Sequence, residues 1–263
     1  MNILDEIVAY KKVEVNKRKL EMPIKQLEQL PLFSSPAYSL KRFLLDESRT
    51  GIIAEFKRKS PSKGIINDQS GVIEVTAAYA NNGASALSIL TDKFFFGGSI
   101  DDLISARINE VPILRKDFTI DEYQIIEAKA FGADAILLIA AILTPQQVKD
   151  FTSKAHELGL EVILEIHDDS EIEHITDRID IVGVNNRDLK TFKVDLKQSA
   201  LLSHHIPSGK IKISESGIDK PKDIEYLKQF GYKGFLIGEQ FMKQADPGLA
   251  FMNFLVELNR LEA

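Results

Sequence analysis

AILLIAAILTPQQVKDFTSKAHELGLEVILEI, residues 135–166, contains one whole unit of the fold. The apolar run Ala135–Ile139 reads as a buried strand. Thr144-Pro145 supplies an N-cap and a first helical turn, Gly159 stops the helical run that follows, and Val162–Ile166 is a second strand. Strands that are apolar at successive positions are buried on both faces, as in a parallel sheet covered by helices. Outward from this unit the pattern recurs in both directions. The other runs are Ile52–Phe56, Ala86–Leu90, Val111–Leu114, Ile179–Val184, Ile211–Ser214 and Gly234–Ile237, and each gap is expected to hold one helix. Lys220-Pro221 opens one such helix and Gly231 closes it.

Eight strand-helix units are the number that closes an α/β (β/α)8 TIM barrel, a fold of roughly 250 residues. An open doubly wound sheet is the alternative. Residues 1–263 then form a single barrel domain. Residues 1–50 lie outside the repeat as an N-terminal helical extension, helical from about Leu4 to Leu20 and then punctuated by Pro23, Pro31 and Pro36. No Gly-Ser linker separates them from the repeat, so they are expected to pack on the barrel.

Composition narrows the partners. Lys and Arg number 33 against 39 Asp and Glu, a formal charge of −6, which disfavours a nucleic-acid binder. The chain has no cysteine, which excludes disulfides, thiolate metal sites and a cysteine nucleophile and fits a cytoplasmic location. The longest apolar stretch, Ala135–Leu143, is nine residues. A membrane helix needs about 20. The N-terminus mixes charges with its apolar residues and carries no secretion signal, so no membrane partner is expected.

In a barrel of this kind the functional groups stand where the strands end. The first run is followed by Glu55, Lys57 and the loop Arg58-Lys-Ser-Pro-Ser-Lys-Gly64; the third by Arg115, Lys116, Asp117 and Phe118. The fifth ends in Glu165 and His167, the sixth in Asn185, Asn186, Arg187 and Asp188, the seventh in Ser214-Glu-Ser-Gly217, the eighth in Gly238-Glu239. Alternate residues of a strand share a side, so Glu55 and Lys57 can project together, as can Asn185 and Arg187. Lysines and glutamates converging at one mouth tune one another for acid and base work, or else close the barrel top as salt bridges.

Ser216-Gly217 and Gly238 follow the last two strands, where barrels commonly bind phosphate through backbone N–H groups; taken singly, each reads equally as a tight turn. Lys59–Gly64 suits a lid over an anionic substrate or an ordinary solvated connection. Neither a nucleotide P-loop nor a dinucleotide fingerprint is present, so no such cofactor is expected. The histidines, 156, 167, 174, 204 and 205, show no metal-ligand spacing. They read as mostly surface residues, His167 as a bystander to Glu165. Phe94-Phe-Phe96 and Phe118 either border an aromatic substrate or seal the top against the N-terminal extension.

Ile53-Ala-Glu-Phe-Lys-Arg-Lys-Ser-Pro-Ser-Lys-Gly64, Leu114-Arg-Lys-Asp-Phe118, Gly183-Val-Asn-Asn-Arg-Asp-Leu189, Ser214-Glu-Ser-Gly-Ile218 and Leu236-Ile-Gly-Glu239 closely resemble indole-3-glycerol phosphate synthases. Ile3–Lys12 is similar to that family's first helix, so the likeness runs the whole length. The resemblance implies a reaction that needs no cofactor and no metal. It converts a small anionic sugar phosphate bearing an anthranilate ring, 1-(2-carboxyphenylamino)-1-deoxyribulose 5-phosphate, to indole-3-glycerol phosphate, carbon dioxide and water.

It implies Lys116 as proton donor in ring closure, and Lys57, Glu55 and Glu165 as candidates for the dehydration, with Lys57 the acid and Glu165 the base, though the two glutamates could exchange roles. Asn185 would meet the ribulose hydroxyls. Ser216, Gly217, Gly238 and Glu239 would hold the phosphate, helped by Lys57, with Glu215 and Leu236 as further substrate-binding residues. Pro61, Phe96, Phe118 and Leu189 would border the ring, with Ser60 and Arg187 near the carboxylate or in the wall. After Glu239 the chain reads Gln240-Phe-Met-Lys243 where many relatives have Ser-Leu-Met-Arg, which touches only a side-chain contribution. A monomer is expected, with a homodimer the alternative. The enzymatic rival is a class I aldolase using Lys116 or Lys57 as a Schiff base. A sugar-phosphate isomerase and a non-catalytic phosphate-binding protein stand behind it.

Overall fold

The computed structural model describes residues 3–189 and 191–262. Its centre is a closed, all-parallel barrel of eight strands: β1 (Ile52–Phe56), β4 (Ala86–Leu90), β5 (Ile113–Lys116), β6 (Ala135–Ile139), β7 (Glu161–Ile166), β8 (Ile181–Asn185), β9 (Ile211–Glu215) and β10 (Tyr232–Ile237). Pairing follows chain order, and β1 closes the ring by pairing with both β4 and β10. Two short strands, β2 (Lys59–Ser60) and β3 (Gly64–Ile65), form an antiparallel hairpin outside the barrel. It folds the basic loop expected after the first strand.

Each strand splits its side chains between two cores. Ile52, Ala54 and Phe56 face outward into the layer between barrel and helices, with Leu87, Ile89, Ile136 and Leu138. Ile53, Ala86, Leu114, Ala135, Ile163, Ile181, Ile213 and Leu236 fill the barrel interior. This is the period of two expected of strands buried on both faces. Helix α8 (Pro145–Glu157) bears out the reading of its ends: Thr144 accepts from the Gln147 N–H in a capping box, and Gly159 takes φ +72° beyond the last turn.

Three local expectations are corrected. The third strand begins two residues later than the apolar run Val111–Leu114 suggested, because Pro112 has no N–H for the ladder; Arg115 and Lys116 therefore lie on the strand itself. The β4–β5 gap holds two helices, α5 (Lys93–Phe96) and α6 (Ile100–Ala106). The β7–β8 gap holds a short 3₁₀ helix, Asp169–His174, in place of an α-helix.

The N-terminal extension grips the barrel at both ends. Helix α1 (Ile3–Glu21) buries Ile7, Lys11 and Val15 at a spacing of four, one face of the helix. Tyr123 donates its hydroxyl to the Arg18 and Met22 carbonyls, tying down the helix end. Helix α3 (Leu40–Leu45), capped by Ser39, inserts Leu40 and Leu44 into the interior cluster at the opposite end. There Glu161, at the start of β7, accepts from the Ser39 hydroxyl and the Lys41 N–H. Among the described residues no helix is long and apolar enough to cross a membrane.

Candidate active site

The inward-facing positions change character along the barrel axis. Ile53 is followed on its side of β1 by Glu55 and Lys57, Leu114 by Lys116, Ile163 by Glu165, and Ile213 by Glu215. Apolar side chains fill the lower barrel and titratable ones the mouth. A cavity of about 470 Å³ opens there, and every site residue expected from the sequence lines it. That volume suits a small ligand.

On the floor stands Lys116. Its ammonium lies 3.2 Å from Glu165 Oε2 and 3.4 Å from Glu215 Oε2, and both carboxylates are almost wholly buried. Beside it Lys57 Nζ pairs with Glu55 Oε1 at 2.7 Å, and Ser88 donates to Glu55 Oε2 at 3.3 Å. Burial disfavours the Lys116 charge, but Glu165, Glu215 and Glu55 outweigh it and hold the group well above the ordinary lysine range. Glu55 is held below the carboxylate range: burial opposes ionisation, and Lys57 and Lys116 override it. Glu165 and Glu215 form a tightly linked pair. Burial resists both charges, yet Lys116, His167 and Asn185 keep Glu165 ionised, whereas burial and the Glu165 charge raise Glu215 well above the usual range.

Two glycines make room for these carboxylates. A Cβ on Gly183 would lie 2.5 Å from Glu215 Oε1, and one on Gly238 would lie 2.8 Å from the Glu55 Cβ. Glycine at these inward positions is a packing requirement for the acid-base cluster.

The wall above is aromatic on one side. Phe96 and Phe118 meet with ring centroids 5.9 Å apart, while Phe94 stacks on Tyr10 of α1 at 4.8 Å and Phe95 meets Tyr10 edge-on at 5.7 Å. The three consecutive phenylalanines thus divide: two seal against the extension and one faces the cavity. Ser60 and Pro61 reach the cavity from the β2–β3 hairpin, Leu189 from the loop after β8, and Leu236 from β10. The hairpin is tied down by Arg58, which pairs with both oxygens of Asp102 at 2.6 and 2.8 Å, and by Lys59, which donates to the Phe94 carbonyl.

Opposite lie Ser216, Gly217, Gly238 and Glu239. Ser216 holds φ +66°, a left-handed conformation costly for a residue with a Cβ, and Gly217 follows at +76°. Asn186 stabilises this turn by donating to the Glu215 and Ser216 carbonyls at 3.0 Å each. Glu239 joins three loops, 3.3 Å from Lys63 Nζ and 3.5 Å from Arg187 Nη2. Asn185 turns its Oδ1 to the Arg187 N–H at 3.0 Å.

Sequence reasoning missed three features. Glu215, expected only as a substrate-binding residue, stands in the lysine-carboxylate cluster, 3.4 Å from Lys116; its inward parity with Ile213 was the available signal. Ile3, Leu4 and Ile7 of α1 reach the cavity. His167 lies beside Glu165, with its Nε2 3.2 Å from Glu165 Oε1. His174 is also buried, with its ring nitrogens near the Leu143 and Glu171 carbonyls. Among the described residues no group of three or more carboxylates and histidines has the arrangement to hold a metal ion.

Comparison with known proteins extends this picture. Among solved structures, a tryptophan synthase α2β2 complex from Pyrococcus furiosus contains a chain matching 81% of this one and 99% of its own length, with TM-score 0.60 and 17% identity, a likeness of fold. The sequence is 48% identical over 255 residues to the indole-3-glycerol phosphate synthase of Bacteroides thetaiotaomicron, covering 97% of this chain and 98% of that one. Identity to the enzyme of the same name from Caldanaerobacter subterraneus is 45% over 245 residues, covering 92% and 93%. Residues 4–254 match the family described as indole-3-glycerol phosphate synthase, and the chain belongs to that family.

Proposed function

We propose that the cavity carries the whole reaction with the chain's own side chains: Lys116 as first proton donor, Lys57 as dehydration acid and Glu165 as base. The activity itself follows from family membership. The chain is an indole-3-glycerol-phosphate synthase, a carboxy-lyase of tryptophan biosynthesis acting on a small phosphorylated substrate. What supports the residue assignment is one observation: a charged lysine sits on the floor within 3.4 Å of two buried glutamates, with a second lysine-glutamate pair at its side.

Ring closure forms the bond between the carboxylate-bearing aromatic carbon and the ribulose C2′ carbonyl, and negative charge develops on that oxygen. Lys116 donates a proton to it. The carbon-carbon bond to the carboxylate then breaks, its electron pair neutralises the cationic ring nitrogen, and carbon dioxide leaves. For dehydration Lys57 protonates the departing hydroxyl, and Glu165 takes a proton from C1′. The proton count closes. The substrate enters as a carboxylate and leaves as neutral carbon dioxide, so one proton is consumed; two are donated and one is collected. Glu165 returns its proton to Lys116 across 3.2 Å, and Lys57 recharges from solvent.

Glu55 orients Lys57, and Asn185 meets the ribulose hydroxyls. The ring lies against Pro61, Phe96, Phe118 and Leu189, with Ser60 and Arg187 toward its carboxylate, and the phosphate lies at Ser216, Gly217, Gly238 and Glu239. A Schiff-base mechanism is supported less well. Its lysine must reach the neutral amine, whereas three carboxylates hold Lys116 charged.

The test is to mix the protein with the carboxyphenylamino-deoxyribulose phosphate in the presence of chelator and follow indole fluorescence, for which a chain without Trp has low background. Lys116→Met is expected to lower kcat by roughly 10²–10⁴ with KM little changed, the worth of a positioned acid. A near-normal kcat in folded Lys116→Met overturns the assignment. Covalent trapping of substrate by borohydride in the unmodified enzyme would transfer it to the Schiff-base reading.

A further inference from the structure

Each carboxylate oxygen of Glu165 faces a basic side chain. Lys116 takes Oε2 at 3.2 Å, and His167 Nε2 stands 3.2 Å from Oε1. His167 follows Glu165 by two positions, just past the end of β7 at Ile166. Its ring and backbone are fixed from two further elements. Glu171, in the 3₁₀ helix after β7, accepts from the His167 backbone N–H at 2.6 Å with the same Oε2 that lies 3.3 Å from Nδ1. Gln198 of α9 (Lys197–Leu202) donates to the His167 carbonyl at 2.7 Å. Glu171 is buried, and its helix is capped by Asp168, which accepts from the Ser170 N–H.

We propose that His167 and Glu171 are positioning residues that hold Glu165 oriented and ionised while Lys116 is without its proton. The proposal rests on the reading of Glu165 as the base. Its physical content is sequential. Once Lys116 has protonated the substrate, Oε2 faces a neutral amine, and burial disfavours the Glu165 charge. Among the described residues, the cation then left beside Glu165 is the imidazolium. Without it the carboxylate becomes a stronger base and takes up a proton before dehydration needs it.

Burial opposes the imidazolium, but Glu165 and Glu171 on either side outweigh it and raise His167 to about 10, so it stays charged across the neutral range. The groups facing the ring are Glu165 from the end of β7 and Glu171 from the following helix. Lys116 of β5 and Glu215 of β9 stand beyond Glu165, and α9 contributes the neutral Gln198. The relation is that of the outer partners which orient a working group in many active sites.

The experiment measures kcat and KM against pH for the full enzyme and for His167→Gln, Glu171→Gln, Glu165→Gln and the double variant His167→Gln/Glu165→Gln. His167→Gln is expected to lower kcat by roughly 10- to 100-fold, the usual cost of losing such an outer partner, with KM within about threefold. The acidic limb of the kcat profile should move to higher pH, because removing a cation raises the pKa of the base. Glu171→Gln should move the limb the same way by less. In the Glu165→Gln background the His167 substitution should have no further effect on kcat.

An unmoved acidic limb in a folded His167→Gln protein overturns the proposal, as does a change confined to KM. Those results leave the base assignment standing. Near-normal kcat in Glu165→Gln removes that assignment instead, and with it the ground for the pair.

Discussion

Replacing Lys11 by methionine should separate the electrostatics of the extension from its apolar packing. Lys11 lies mid-way along the buried face of α1, its side chain 1% exposed, with Nζ 2.6 Å from Glu14, 2.8 Å from Asp92 and 2.9 Å from Asp117. Asp92 and Asp117 are buried as deeply. Methionine keeps the length of the stem and removes the charge. Breaking a buried ion pair from one side costs about 3–5 kcal/mol. The lower end applies, because Asp117 keeps Arg115 at 3.2 Å and the Thr91 hydroxyl at 2.7 Å, and Asp92 keeps the Phe95 and Phe96 N–H groups.

At about 2–4 °C per kcal/mol for a chain of this size, a loss of about 3 kcal/mol lowers Tm by about 6–12 °C. The sign of the pH dependence follows from Asp117. Burial disfavours its charge, but Lys11 and Arg115 hold it well below the ordinary carboxylate range. Stability from such a group is complete above its unfolded pKa of about 3.9 and is lost as pH falls through the folded value. The gap between parent and variant should therefore be full at pH 7 and begin to narrow below about pH 4. Urea midpoints at pH 7, 5 and 3.5, with Asp117→Asn and the double variant, measure the gap and the coupling. A gap under about 1 kcal/mol at pH 7 would refute the reasoning, since that is the worth of an exposed pair. So would a gap that does not change with pH.

Two further outcomes follow from the floor of the cavity. Glu215 is raised, so between its unfolded and folded pKa values the native state binds more protons than the unfolded one, and stability falls as pH rises through that window. Glu215→Gln removes this loss: the variant should gain on the parent as pH goes from 5 to 9, at up to about 1.4 kcal/mol per pH unit, and melting curves at the two extremes with no relative gain would sink the argument. Gly183→Ala puts a methyl 2.5 Å from Glu215 Oε1, which must swing away; an overpacking cost of about 1–3 kcal/mol and a lower kcat are expected, and unchanged kinetics with unchanged Tm would show that the carboxylate has room to spare.

The parts of the fold that were legible in the chain are those with a local cause. Thr144 and Gly159 mark the ends of α8 because caps and left-handed stops depend on a residue and its near neighbours. Burial on both faces makes a parallel strand apolar throughout, so all eight runs stand out. Two boundaries rest on features that a run of apolar residues does not carry. Val111 is as apolar as its neighbours, and the strand starts later because Pro112 cannot join the ladder. The gap after β7 has helical composition, but only six residues of it wind, as 3₁₀ helix.

The site was legible for a geometric reason. Parity along a strand assigns side chains to the interior, and the interior changes from Ile53, Leu114, Ile163 and Ile213 to Glu55, Lys116, Glu165 and Glu215 within two residues. A charged residue two places after an inward apolar one is therefore a candidate at the mouth. The same rule carried one step further reaches His167, two places beyond Glu165. What parity does not supply is distance between strands. Whether Glu215 meets Lys116 depends on where β9 stands relative to β5, across the barrel and not beside it. Gly183 makes that meeting sterically feasible, because an inward side chain on β8 would occupy the volume through which Glu215 reaches Lys116. The acid-base cluster is thus built as much by a missing side chain as by the charged ones, and a glycine's absence of atoms has no chemical signature in a sequence until the strands around it have been closed.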